Sequence, residues 1–336
     1  MNKKIIYYLV LVAVCSIGLG LAIIYTTGGL VFSETNQNYD INITEVRESD
    51  GVNQITVNNI SADITIIPEE RENIKIHYYG NVSNTADIPE LNISRDGNEL
   101  IIRMEEGENK IRLFYFLNLT LEIHIPEEYA ENLSIASSSG NIDFKDILRL
   151  RDFSLDSLSG NLYIDTLTAG NTDIKLKSGN LKAVDLQVED MAVEVISGNI
   201  DFNDFKANDC NFSLTSGNLN ADTFHTERTE YKIISGDVKI EDFYGDLRGE
   251  TSSGNIRIKF NTFKDNVRLS SSSGNIVLDL PDDAEFSIDA RTSGNIYYNF
   301  PVSIQGIKED NYLNGHVSNG ENTLKINVSS GNITIE

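Results

Sequence analysis

Four aspartates, Asp146, Asp185, Asp204 and Asp242, each stand six places after a recurring glycine, with Asp143, Asp201 and Glu241 close by. Stacked in register they would form a column of carboxylate oxygens, the ligand type that hard cations such as Ca²⁺ take. Thr166 and Thr223 interrupt the series, and the glycine-rich calcium nonapeptide of other β-rolls is missing. The column therefore reads as a solvated acidic face that discourages edge-to-edge aggregation. The four histidines, His77, His124, His225 and His316, have no metal-ligand spacing and read as solvated surface residues, His225 and His316 in turn-like segments. A serine precedes each recurring glycine, but a serine repeated many times is no unique nucleophile. The chain has no phosphate-binding glycine loop, nucleophile elbow or paired-cysteine metal signature. No catalytic, cofactor-binding or metal residue is assigned, and the expectation is a protein without enzymatic activity.

The elements that would position these side chains follow from one motif. Ser-Gly-Asn recurs with its glycine at 140, 160, 179, 198, 217, 236, 254, 274, 294 and 331, Asp237 alone replacing the asparagine. A step near 19 residues is the mark of a solenoid whose units share a continuous core. Apolar residues fall two and four places after every glycine, as in Leu181 and Ala183 or Ile200 and Phe202. That alternation predicts a strand buried on one face. A second pair often lies five and three places before the glycine (Ile174 and Leu176, Phe212 and Leu214), so each coil carries at least two strands around one core.

Seven places after the glycine, Ile147, Leu167, Leu186, Phe205, Phe224 and Phe243 should stack as an inward column, partly aromatic. It breaks at Asn261 and Pro281, where Phe260, Phe263 and Phe286 are expected to take over. Glycine lets the strand turn sharply at the corner, and the stacked asparagines are expected to bond to one another, with Asp237 as an interruption. The coils should follow one another in chain order, the last step of 37 residues being about twice one period. The fold class expected is all-β, a single-stranded β-helix with coils of about 19 residues.

The N-terminus places this rod. Residues 1–4 carry Lys3 and Lys4, and 5–32 form a long apolar stretch without charge. This length suits a transmembrane signal anchor, and the next basic residue, Arg47, leaves the N-terminus cytoplasmic and the remainder exported. Residues 33–40 read as a polar tether, 41–132 as irregular first coils with a cap, and 133–336 as regular repeats. With 51 acidic against 27 basic residues and a formal net charge of -24, nucleic acid and anionic headgroups are repelled. The two cysteines, Cys15 in the apolar stretch and Cys210 in the repeats, offer no intramolecular disulfide, and Cys210 reads as a buried apolar residue.

The segments Leu121-Glu122-Ile123-His124-Ile125-Pro126 and Leu133 to Ile142, the serial Ser-Gly-Asn-Ile copies, and the ending around Gly315 to Gly320 and Leu324 to Ile333 carry a resemblance. Over roughly residues 50 to 336 the chain resembles the DUF4097 family of β-strand-repeat proteins, whose members are provisionally labelled adhesins. The resemblance implies a surface module, or an accessory membrane component of a bacterial envelope-stress system. Partners expected are a cell-surface or envelope protein or glycan, and the membrane through the N-terminal helix. A polysaccharide-active β-helix enzyme is the less favoured reading, because residues 133 to 258 lack the long insertions that build such a site. In a bacterial chain the Asn-x-Ser/Thr triplets, such as that at Asn59, reflect strand patterning.

Overall fold

The computed structural model describes residues 39–82, 89–105, 117–304, 309–318 and 320–336. All regular elements among them are β-strands. No helix among the described residues is long and apolar enough to cross a membrane, and the anchor read over 5–32 lies outside them. Tyr39 and Asp40, read as tether, already belong to the first strand, Tyr39–Glu48.

The middle of the molecule shows why the repeat folds as it does. Strands Leu162–Ser178, Leu181–Ser197, Ile200–Ser216, Leu219–Ser235 and Val238–Ser253 are each a whole coil, broken only at the Ser-Gly corner. Successive coils pair in parallel, with Leu181 beside Ile200 and Ile200 beside Leu219. In one coil Leu181 and Ala183, then Leu186 and Val188, then Met191, Val193 and Val195 are buried, and the residues between face out. Alternation slips where two neighbouring residues both face outward, at Val184 and Asp185 and again at Glu189 and Asp190. With the Ser-Gly-Asn bend these slips give three corners, so a coil has three sides around one core. Each side is too short to bury its apolar face alone, and stacking on the neighbouring coil completes the core.

The inward column at the second side runs through Leu167, Leu186, Phe205, Phe224 and Phe243, all fully buried. Ile147 departs from the expectation: it is 51% exposed, and Leu148 fills its place at 1%. Asp146 takes a left-handed conformation, φ 56°, and this bulge shifts the register so that Leu148 pairs with Leu167. The extra residue is the reason the first step is 20 long. Beyond Phe243 the aromatic contacts continue through Phe260, Phe263 and Phe286, with ring centroids 5.3–5.5 Å apart. That takeover is as the sequence predicts.

The coils do not stack in chain order at either end. The last coil is inserted between two earlier ones: Asn322–Val328 lies between Val267–Ser273 and Phe286–Thr292, and Ile333–Ile335 between Ile276–Asp279 and Ile296–Tyr298. The expected sequential climb is corrected here, and the 37-residue step is a return of the chain over one coil. The first coil repeats the device. Gln54–Asn59 lies between Glu99–Glu105 and Asn132–Ser137, and Asp63–Glu69 between Leu117–Pro126 and Ile142–Arg149. Antiparallel strands then cover the outer rungs, Asn73–Val82 and Tyr39–Glu48 at one end and Tyr312–Val317 at the other. Parallel rungs whose edges would template further pairing are thus followed by hairpin-like layers.

Candidate functional site

The Ser-Gly-Asn corner is structural. At Gly198 φ is +150°, and a Cβ there would lie 1.8 Å from the Gly179 carbonyl oxygen, so no side chain fits between coils. Beside it the Asn218 backbone N–H donates to Asn199 Oδ1 (2.9 Å), as Asn199 N–H does to Asn180 Oδ1 (2.8 Å). The ladder starts at Asp63, whose Oδ1 accepts the Asn141 N–H (2.7 Å), and passes through Asn275, Asn332 and Asn295 in the swapped order of the coils. Asp237 does not interrupt it: its N–H donates to Asn218 Oδ1 and its carboxylate accepts the Asn255 N–H. The column needs one acceptor oxygen per rung, which either residue supplies.

The acidic column forms with one member displaced. Thr166, Asp185, Asp204, Thr223 and Asp242 are register partners, whereas the bulge puts Ile147, not Asp146, beside Thr166. Gln187 Nε2 donates to Asp185 Oδ1 (3.2 Å) and His225 Nε2 lies 3.4 Å from Asp242. Among the described residues no three His, Cys, Asp or Glu side chains are grouped to hold a metal ion.

The histidines correct the sequence reading in two ways. His225 and His316 lie in strands. His124 is buried, its Nδ1 2.5 Å from Glu69 Oε1 and its Nε2 3.4 Å from Glu122 Oε2. His77 stacks on Tyr79, whose hydroxyl donates to Glu122 Oε1 (2.8 Å). For Glu122 desolvation acts upward, but the bonds from Tyr79, His77 and His124 outweigh it and hold the carboxyl below its usual 4.5. Glu69 is lowered likewise: desolvation raises it, and His124 and Arg71 together prevail. This cluster ties the outer antiparallel strand Asn73–Val82 to the coils. Cys210 is buried as expected, and desolvation pushes its thiol up to about 12.

A cleft opens where the repeat length departs from 19. The step from Gly236 to Gly254 is 18, and the missing residue falls at a corner, where Thr226 and Glu227 face Gly245 alone. At Gly245, φ +121°, a side chain would run into the Thr226 carbonyl oxygen, so only glycine fits at the shortened corner. In the next coil the chain leaves the strand between Lys259 and Val267. The resulting cavity of about 320 Å³ is lined by Arg228, Thr229, Glu230, Asp246, Leu247, Arg248, Asn266, Val267, Arg268, Thr323 and Lys325. A second corner ladder edges it: Asn266 N–H donates to Asp246 Oδ1 (2.7 Å) and Thr323 N–H to Asn266 Oδ1 (3.1 Å). Behind it, burial first and then the charge of Asp246 push the Asp265 carboxyl upward.

Arg248, Arg268 and Lys325 are register partners on three adjacent rungs, bounded by Glu230 on one side and Asp289 on the other. Arg248 reaches Glu250 (3.2 Å) and Glu230 (3.5 Å), and Arg228 pairs with Asp209 (2.6 Å). Arg268 and Lys325 have no ion-pair partner among the described residues. Sequence reasoning missed this row because it counted forward from the glycines; counting back, each of the three stands six places before its glycine, at 254, 274 and 331.

The profile of the Toastrack family, DUF4097, matches the chain twice, over residues 52–201 and 171–336. The chain belongs to the Toastrack family. No curated protein matches it in sequence. Among solved structures, this Toastrack chain is similar to a protein provisionally named an adhesin from Parabacteroides distasonis ATCC 8503, at 15% identity and a TM-score of 0.51, covering 73% of this chain and 98% of the other. It is also similar to one provisionally named lipid-binding from the same organism (13%, TM-score 0.49, 90% and 98% covered). A third, provisionally named an adhesin, is from Bacteroides fragilis NCTC 9343 (12%, TM-score 0.39, 90% and 98%). At these identities the likeness shows the fold alone.

Proposed function

We propose that this Toastrack chain is a membrane-anchored, extracytoplasmic surface module that works by binding and not by catalysis, in the manner of an adhesin or an envelope-interaction protein. The observation that carries the reading is the division of labour in every coil. Inward positions are consumed by the core, while outward ones are mostly polar and stack in rows at rung spacing, such as Thr166, Asp185, Asp204 and Thr223. Such rows suit recognition of an extended partner, a protein or glycan of the cell surface or envelope. Export is supported by the apolar stretch at 5–32 with its basic residues all on the N-terminal side, and by the acidic composition.

The test is capture of defined ligands by the full-length chain on a glycan array, beside affinity capture from envelope and host-surface fractions. Saturable binding to a glycan or foreign surface protein supports adhesion. Binding confined to envelope proteins of the same cell instead supports an accessory role in envelope-stress sensing. Turnover of a glycan by the pure protein would overturn both.

A further inference from the structure

Several basic side chains of this acidic surface come with a carboxylate, as Lys145 with Asp143, Lys239 with Glu241 and Lys259 with Asp279. The row of Arg248, Arg268 and Lys325 places three cations on consecutive rungs at strand spacing, ~4.8 Å apart, and of the three only Arg248 has an ion-pair partner among the described residues. Like charges directly opposite one another on neighbouring strands are destabilising. The row also stands in the wall of the cleft made by the shortened coil, so local shape and local charge coincide.

We propose that this cleft is a binding site for a compact anionic group carried by a saccharide, a carboxylate or a phosphate. Arg268 presents a planar fork that matches either oxyanion, and Lys325 a point charge beside it. The ligand is compact because Glu230 and Asp289 close the row at both ends, leaving about three rungs, roughly 10 Å, of positive surface. The net charge of -24 repels a long polyanion but leaves a short anion free to enter the local field. Thr323 at the rim offers a hydroxyl to a sugar, and Leu247 and Val267 an apolar floor. The inference deepens the surface-module reading and rests on it.

Isothermal titration of the full-length chain tests it with three probes: glucuronic acid, glucose 6-phosphate and neutral glucose. Saturable, salt-sensitive binding of either anionic sugar with no binding of glucose is expected, and which of the two binds tells carboxylate from phosphate. The double substitution Arg268→Gln and Lys325→Gln should weaken that binding by about tenfold or more, the scale of losing charged hydrogen bonds. Lys182→Gln, on another side of the rod, should leave it unchanged. Because the row is self-repelling, the double variant without ligand should melt no lower than the parent, which separates lost binding from lost folding. Absence of saturable binding by both anionic sugars, equal binding of glucose, or indifference to the double substitution would overturn the proposal. If that variant still captures the surface partner of the parent chain, the cleft assignment fails while the surface-module reading stands.

Discussion

The Asp237 carboxylate accepts the backbone N–H of Asn255 at 2.6 Å, taking the same part in the corner ladder that Asn199 takes toward Asn218 at 2.9 Å. The rung thus asks for an acceptor and not for an amide. Asn199→Asp should therefore change the urea midpoint little, within about 0.5 kcal/mol. Asn199→Leu strands the Asn218 N–H and should cost about 1 kcal/mol or more. Equal losses for the two variants would contradict the acceptor argument.

Close packing of corners makes a second distinction. Gly198→Ala places a methyl against the Gly179 carbonyl oxygen and should destabilise by about 3 kcal/mol or more, since rigid backbone from two coils must separate. Gly97 has φ +58° and open space, with nothing within 4 Å of the place a methyl would take, so Gly97→Ala should cost only about 1 kcal/mol from its left-handed backbone. Thermal unfolding of both variants reads the contrast.

The bulge at Asp146 predicts which of two adjacent residues matters. Leu148→Ala removes a 1% exposed side chain from the inward column and should cost about 2–5 kcal/mol. Ile147→Ala should be close to neutral, within about 0.5 kcal/mol, because that side chain is already half in water. A larger loss at 147 than at 148 in denaturant melts would place the bulge elsewhere.

Acid should loosen the layer held by Glu122 and His124. Glu122 has a folded pKa below its usual value of 4.5, so its contribution is fully present above that value and is lost as pH falls through the lowered folded one. Glu122→Gln cannot lose it. The stability gap between the parent and Glu122→Gln should therefore shrink as pH drops from neutral through 4.5 and below, followed by urea unfolding at each pH. A gap constant over that range would exclude the linkage.

Burial of Cys210 gives a kinetic handle. With its thiol pushed up to about 12 by desolvation, little reactive thiolate exists near neutral pH. In a Cys15→Ser background, Cys210 should resist iodoacetamide in the native state and label only as fast as coils open. Prompt labelling under native conditions would show that the side chain is reached from the surface.

The sequence by itself determined the coil. Alternation after each glycine told which of Leu181 and Lys182 faces inward, and the Ser-Gly-Asn repeat told where the strand bends, because both are settled by neighbours a few residues apart. It also carried the family resemblance, and the row at 248, 268 and 325 was present in its phase although unread. Only the tertiary structure decided that the coil ending at Ile335 slides between those of Leu278 and Tyr298, that Leu148 supplants Ile147, and that Asp237 bonds as an asparagine would. The physical reason is that parallel rungs are nearly interchangeable in their local pattern. Which rung receives which neighbour depends on hydrogen bonds between residues far apart in the chain, and on the antiparallel strands that must cover the outermost edges.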